Sequence, residues 1–279
     1  MRLAIQLNGK SVDDLVRRLA QAREAGFSLC QINLLYGGVT RADLVKLADA
    51  IEDRGVRPVA IGCYINPLRP DEPSPAGVTR SDLEVVLQSL DILGARRVVF
   101  WSGTHADGFG ETHPDDAKPE SLGALRAFVV DVVRSTGARN YLLVLEPWSI
   151  HVLSTVERVE TFHARLEPSV AEHVRYAVDP ATLITPEYHA RCDAFAADVC
   201  ARLGPVAGLA RLQDCTFTVD GLVNFGAPGA GALDFAAYVR ALMQSCPPDT
   251  PAVACNVRSA DFAAARDFLL RLSPDWRLV

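Results

Sequence analysis

Short apolar runs alternate with amphipathic segments along the whole chain. The runs read RLAIQL from Arg2, LCQINL from Leu29, PVAIGCY from Pro58, RVVFWS from Arg97, YLLVLEP from Tyr141, VRYAVDP from Val174, VAGLARLQD from Val206 and AVACNV from Ala252. Runs of this length, rich in β-branched residues, suit strands covered on both faces. The segments between them carry helical spacing. Ser11 to Ala25 opens on a capping serine, puts Leu15, Leu19 and Ala22 on one face and stops at Gly26. Thr79 to Leu93 opens on Thr79 and Asp82, a capping-box spacing, and stops at Gly94. The same pattern predicts helices over Arg41 to Arg54, Pro119 to Thr136, Ser154 to Leu166, Pro186 to Leu203, Asp234 to Gln244 and Ala260 to Leu272. Pro119 and Pro186 suit a first helical turn, where the missing N–H has no partner anyway.

Strict strand-then-helix alternation predicts a parallel α/β sheet, and about eight repeats predict a closed (β/α)₈ barrel. With no linker or composition shift, residues 1–279 form a single domain. An open doubly wound sheet is the alternative. It needs a glycine-rich phosphate turn after the first strand, and Asn8-Gly9-Lys10 is not one. Strand-to-helix loops are long at Tyr64 to Val78, Gly103 to Lys118 and Cys215 to Leu233, whereas helix-to-strand turns are short, as at Arg54-Gly55. Length on the carboxyl side of the strands is where barrels place their working parts, so an enzyme or a ligand binder is expected.

Composition narrows the partners. The chain is 22% charged with a formal net charge of −6, which gives no electrostatic reason to bind nucleic acid or an anionic membrane. No apolar run reaches the ~20 residues of a membrane span, so a cytoplasmic protein is expected. The last helices carry enough apolar content to permit a homo-oligomer. The seven cysteines form no CxxC pair or metal-type spacing and read as buried, reduced residues.

Side chains at strand carboxyl ends share the barrel mouth. These positions are Gln6, Asn8, Asn33, Tyr36, Cys63, Tyr64, Asn66, Trp101, Ser102, Glu146, Trp148, Asp179, Arg211, Gln213, Asp214, Cys255 and Asn256. Glu146 ends a wholly apolar strand, and Asp179 repeats the arrangement at the end of VRYAV. Two such carboxylates repel unless a cation lies between them. That cation is either a divalent metal, with oxygen ligands suiting magnesium or manganese, or Arg211. Tyr64, His105 and His113 are candidate acids. His105, Glu111 and His113 form either an irregular metal site or a solvated loop. Cys63, Cys215 and Cys255 lack an implied histidine partner for nucleophilic work. Trp101 and Trp148 suit stacking on a sugar ring or capping the core, and Tyr64, Asn66, His105, Gln213 and Asn256 complete the candidate substrate-binding set.

CYINPLRPDE from Cys63, LVLEPW from Leu143, AVDPATL from Ala177, RLQD from Arg211 and FGAPGAGALDF from Phe225 together resemble the xylose isomerase-like superfamily. That group includes sugar phosphate isomerases and epimerases, inosose dehydratases and the endonuclease IV fold. The resemblance implies a small-molecule substrate, and a divalent metal (magnesium, manganese or zinc) held by Glu, Asp, His and Glu from strands five to eight. Glu146 and Asp179 match the first two ligands. Arg211 and Asn256 stand where the resemblance implies histidine and glutamate, and Thr182 where a further histidine is common. An arginine has no lone pair for a metal. The expectation is therefore an isomerase-, epimerase- or lyase-like enzyme with Glu146 as general base, and with Arg211 supplying the metal's charge by pairing with Glu146 and Asp179. The alternative is a non-catalytic barrel that binds a small ligand or a partner protein.

Overall fold

The computed structural model describes residues 1–108, 110–136, 140–218 and 223–278. Eight parallel strands close on themselves: β1 (Arg2–Gly9), β2 (Leu29–Leu34), β3 (Arg57–Cys63), β4 (Arg97–Trp101), β5 (Leu142–Glu146), β6 (Val174–Val178), β7 (Ala207–Leu212) and β10 (Pro251–Ala254), the last pairing with both β7 and β1. The alternation in the sequence is thus realised as a (β/α)₈ barrel, and the open sheet is excluded. The outer layer comprises α1 (Val12–Glu24), α2 (Arg41–Arg54), α3 (Arg80–Leu93), α4 (Pro119–Thr136), α5 (Val156–Ala164), α8 (Cys192–Leu203), α9 (Phe235–Ser245) and α10 (Phe262–Leu272). Two four-residue helices, α6 (Pro168–Ala171) and α7 (Pro180–Leu183), flank β6.

Capping residues set the helix limits. The Thr40 hydroxyl accepts from Asp43 N–H at 3.2 Å while the Asp43 carboxylate accepts from Thr40 N–H at 3.0 Å, closing the first turn of α2. Gly55 (φ 62°) ends it in a left-handed turn that a side chain would strain. Two segments depart from expectation. The run from Val206 to Asp214 is not one strand: β7 ends at Leu212, and Asp214 begins β8 (Asp214–Phe217), which pairs antiparallel with β9 (Val223–Gly226). The segment from Pro186 opens as a 3₁₀ turn, Pro186–Arg191, and becomes α-helical only from Cys192, because Arg191 (φ −140°, ψ 30°) leaves helical geometry.

Ala4, Val99, Val144, Ala177, Leu209 and Val253 belong to a packed cluster that contains no helix residue, so they fill the barrel interior. Their sequence neighbours, such as Ile5, Val98, Phe100 and Val178, pack with the helices. Strand side chains alternate faces. The residues two positions further along each strand therefore also face inward, at the carboxyl end.

Candidate active site at the barrel mouth

A cavity of ≈ 330 Å³ opens at that end, lined among others by Gln6, Asn8, Lys10, Asn33, Tyr64, Trp101, Glu146, Trp148, Thr182, Arg211, Gln213, Phe225, Cys255 and Asn256. Alternation explains the set: Gln6 and Asn8 follow Ala4, Trp101 follows Val99, Glu146 follows Val144, and Arg211 and Gln213 follow Leu209.

Arg211 is the organising residue, at 1% exposure. Its Nη2 donates to Glu146 Oε2 at 2.6 Å and to Tyr64 Oη at 2.7 Å. Its Nη1 donates to Gln31 Oε1 at 3.0 Å and approaches Cys255 Sγ at 3.4 Å. Tyr238 Oη donates to the Arg211 carbonyl at 2.5 Å, fixing the backbone beneath it. Burial works against the guanidinium's charge, but Glu146 beside it holds its pKa well above the ordinary value. Burial pushes the Tyr64 phenol up, opposed by Arg211 and reinforced by Glu146, so it stays neutral. Gln31 Nε2 also donates to Tyr64 Oη, at 3.2 Å. Both contacts use the phenol oxygen as acceptor, so its own proton is available to a bound ligand.

Two carboxamide chains extend from this centre. Gln31 donates to Asn33 Oδ1 and Asn33 to Asn8 Oδ1, each at 2.7 Å. On the other side Asn256 donates to Gln213 Oε1 and Gln213 to Asp179 Oδ2, each at 2.6 Å. Asn256 sits at φ 56°, the sole non-glycine positive φ among the described residues and one that asparagine tolerates well. Asp179 lies behind the cavity wall. Its Oδ1 accepts from Ala181 N–H at 3.1 Å, capping α7. Burial, reinforced by the Glu146 charge and opposed by Arg211, pushes its pKa up to about 8. The aromatic wall is Tyr64 against Trp101 (centroids 5.1 Å apart) and Trp148 against Phe225 (5.8 Å). His151 packs against both tryptophans, at 5.9 Å from Trp101 and 4.9 Å from Trp148, and burial pushes its pKa down to about 3.

The structure brings together Glu146, Arg211, Tyr64, Trp101, Trp148, Gln213 and Asn256 on one cavity wall. It does not bring Asn66 and His105 there. Asn66 folds sideways as a loop staple: its Nδ2 donates to the Thr104 carbonyl at 2.8 Å and its Oδ1 accepts from Leu68 N–H at 3.2 Å. His105 turns to Ser121 Oγ at 2.9 Å and stacks on His113. The expected pairing of Arg211 with both carboxylates is also corrected. Arg211 bonds Glu146, whereas Asp179 takes its hydrogen bonds from Gln213 and Ala181. Cys215 and Cys255 are buried with thiol pKa values pushed up to about 12, and burial raises Cys63 as well, which suits inert core residues. Gln31 and His151 escaped the sequence reading. The spacing of Leu29, Gln31 and Asn33 does carry the information for Gln31, but nothing in the loop PWSIHVL marks His151.

These residues do not fit a divalent ion. The Glu146 carboxylate is taken by a permanently charged guanidinium, and among the described residues no three His, Cys, Asp or Glu side chains converge.

The whole chain superposes on solved sugar epimerases. D-allulose 3-epimerase from Methylomonas sp., in complex with D-allulose, matches with a TM-score of 0.71 and 15% identity, over 98% of this chain and 97% of that one. An L-ribulose 3-epimerase matches with a TM-score of 0.67 and 18% identity, over 97% and 94%. A xylose isomerase-like TIM barrel protein from Mycobacterium smegmatis, in complex with magnesium, matches with a TM-score of 0.66 and 13% identity, over 96% and 95%. What the chain shares with these structures is the closed (β/α)₈ barrel. No protein-family model matches the chain, and no curated protein matches it in sequence. At these identities the likeness shows the barrel fold alone, and the chemistry depends on the residues at the mouth.

Proposed function

We propose that this barrel is an isomerase- or epimerase-class enzyme for a polyhydroxylated carbonyl compound, working without a metal. The observation that carries the reading is the buried Arg211–Glu146 pair at 2.6 Å on the wall of the mouth cavity. Hydroxyl groups of the ligand meet the carboxamides of Asn8, Asn33, Gln213 and Asn256, each of which both donates and accepts. Trp101 and Trp148 offer apolar faces to the carbon skeleton. Glu146 removes the proton from the carbon next to the carbonyl. The C–H electron pair moves into the enediolate, and its oxygen is stabilised by the Arg211 charge and the Tyr64 hydroxyl. With Asn256 where a second carboxylate is implied, one base returns the proton to the neighbouring carbon, while the hydroxyl proton of the enediolate passes to the former carbonyl oxygen through the Tyr64 hydroxyl, so that the old carbonyl becomes a hydroxyl and the old hydroxyl a carbonyl. That favours aldose–ketose interconversion over inversion by two opposed bases. Asp179 acts through Gln213 and Asn256, holding both carboxamides in place.

The test is deuterium wash-in. A panel of aldoses, ketoses and keto-sugars is incubated with the protein in D₂O and followed by proton NMR. The reading expects exchange at the carbon next to a carbonyl, reduced by about 10²–10⁴-fold in Glu146→Gln. A panel member that binds in the mouth without exchange would instead support a ligand-binding barrel.

A further inference from the structure

The alternation that sends Gln6, Trp101 and Asp179 toward the carboxyl end sends Arg2, Arg97 and Arg175 to the opposite end of the barrel interior. Each lies two positions before an interior residue: Ala4, Val99 and Ala177. Gly208 corroborates this for Arg175. A Cβ built there would stand 2.7 Å from both Arg175 Cβ and Val144 Cγ2, and Val144 is interior. Arg96, immediately before β4 and exposed, lies outside the interior set but close enough to add positive charge near Arg97.

The cluster is short of counter-charge, in a chain whose net charge is −6. Among the described residues, Arg2, Arg96, Arg97 and Arg175 make no salt bridge. Arg2 Nε donates to the Asp249 carbonyl at 3.3 Å, and Arg175 Nη1 to the carbonyls of Ala171 (3.0 Å) and Val174 (2.7 Å), which supply hydrogen bonds without a full negative charge. The nearby carboxylate of Asp249 is paired with Arg277 at 3.2 Å. Arg97 Nε is buried with no hydrogen-bond partner among the described residues. Burial pushes the Arg97 pKa down to about 10. Arg2, Arg96 and Arg175 reinforce that push and Asp249 opposes it. A buried donor on a guanidinium surrounded by like charges is the arrangement an oxyanion would complete, because its oxygens match the guanidinium fork and its charge offsets the repulsion.

We propose that the amino-terminal end of the barrel binds a small tetrahedral oxyanion of the phosphate type between Arg97, Arg2 and Arg175. The site lies at the other end of the barrel from the mouth and does not depend on its chemistry.

Thermal unfolding in inorganic phosphate, against sodium chloride at matched ionic strength, tests it. Wild-type protein should show a saturable rise in Tm of roughly 2–4 °C in phosphate beyond the chloride value. Phosphate also stabilises proteins by exclusion from their surface, an effect any variant shares, so the comparison is with Arg97→Met. That variant should lose the saturable part. In phosphate-free buffer it should melt no lower than wild type, because an uncompensated charge has been removed. An equal rise in both proteins, or none in wild type, overturns the proposal. Should Arg97→Met fail to fold, calorimetric titration of phosphate into wild-type protein decides the same point. Saturable heat that sulfate competes away supports the site, and its absence overturns it.

Discussion

The Arg211 guanidinium donates to the Glu146 carboxylate at 2.6 Å, with the arginine side chain 1% exposed and the glutamate 12%. Removing either partner from such a pair leaves a charge or its hydrogen-bonding neighbours without compensation. Glu146→Gln and Arg211→Met should each lower stability by about 3–5 kcal/mol in urea unfolding. The double variant should cost less than the sum, with a coupling of roughly 0.5–3 kcal/mol. Strict additivity would show that the two side chains do not interact as described.

Asp179 makes stability depend on pH. Its folded pKa of about 8 lies above the ordinary aspartate value of 3.8, so the folded state binds more protons between those values. The protonated group's contribution is complete below pH ~4 and declines as pH rises toward ~8. Urea midpoints measured from pH 5 to pH 9 should therefore fall more steeply for wild type than for Asp179→Asn. Parallel slopes would remove Asp179 as the cause.

Gly208 is set by crowding inside the barrel. A methyl group there meets Arg175 Cβ and Val144 Cγ2 at 2.7 Å, a Cβ on one side and a methyl of a stiff β-branched side chain on the other. Gly208→Ala should destabilise by about 1–3 kcal/mol in urea unfolding. A neutral result would mean the strands separate more easily here than close packing allows.

The aromatic wall should contribute binding rather than chemistry. Trp101→Ala removes a ring that packs on Tyr64 and His151 and faces the cavity. For a ligand found in the exchange panel, KM should rise by about 2–10-fold, with kcat changed less. A loss confined to kcat would assign Trp101 to positioning Tyr64 instead.

Strand alternation made the barrel and most of its mouth legible. The period-two rule that buries Val144 also delivers Glu146, and the same holds for Leu209 and Arg211. It does not reach residues beyond a strand's end, where the turn decides direction. Asn66 and His105 follow irregular loops and serve them, through Thr104 and Ser121. The run VAGLARLQD carries no mark at the point where β7 ends and Asp214 starts a hairpin strand. Asp214 Oδ1 accepts from Cys215 and Leu233 N–H, contacts set by the returning loop rather than by local propensity. Partner choice was equally hidden. Sequence placed Arg211 near two carboxylates, but only packing gives it to Glu146 and gives Asp179 to Gln213.

In the proposed reaction, Arg211 supplies the positive charge beside Glu146 on which proton abstraction depends. The most direct measurement is deuterium wash-in by protein stripped with chelator, assayed before and after manganese or magnesium is added back, with elemental analysis of each sample. The stripped protein should exchange fully, gain nothing on metal addition, and lose exchange in Glu146→Gln. Exchange that appears only with stoichiometric metal bound through Glu146 would contradict it.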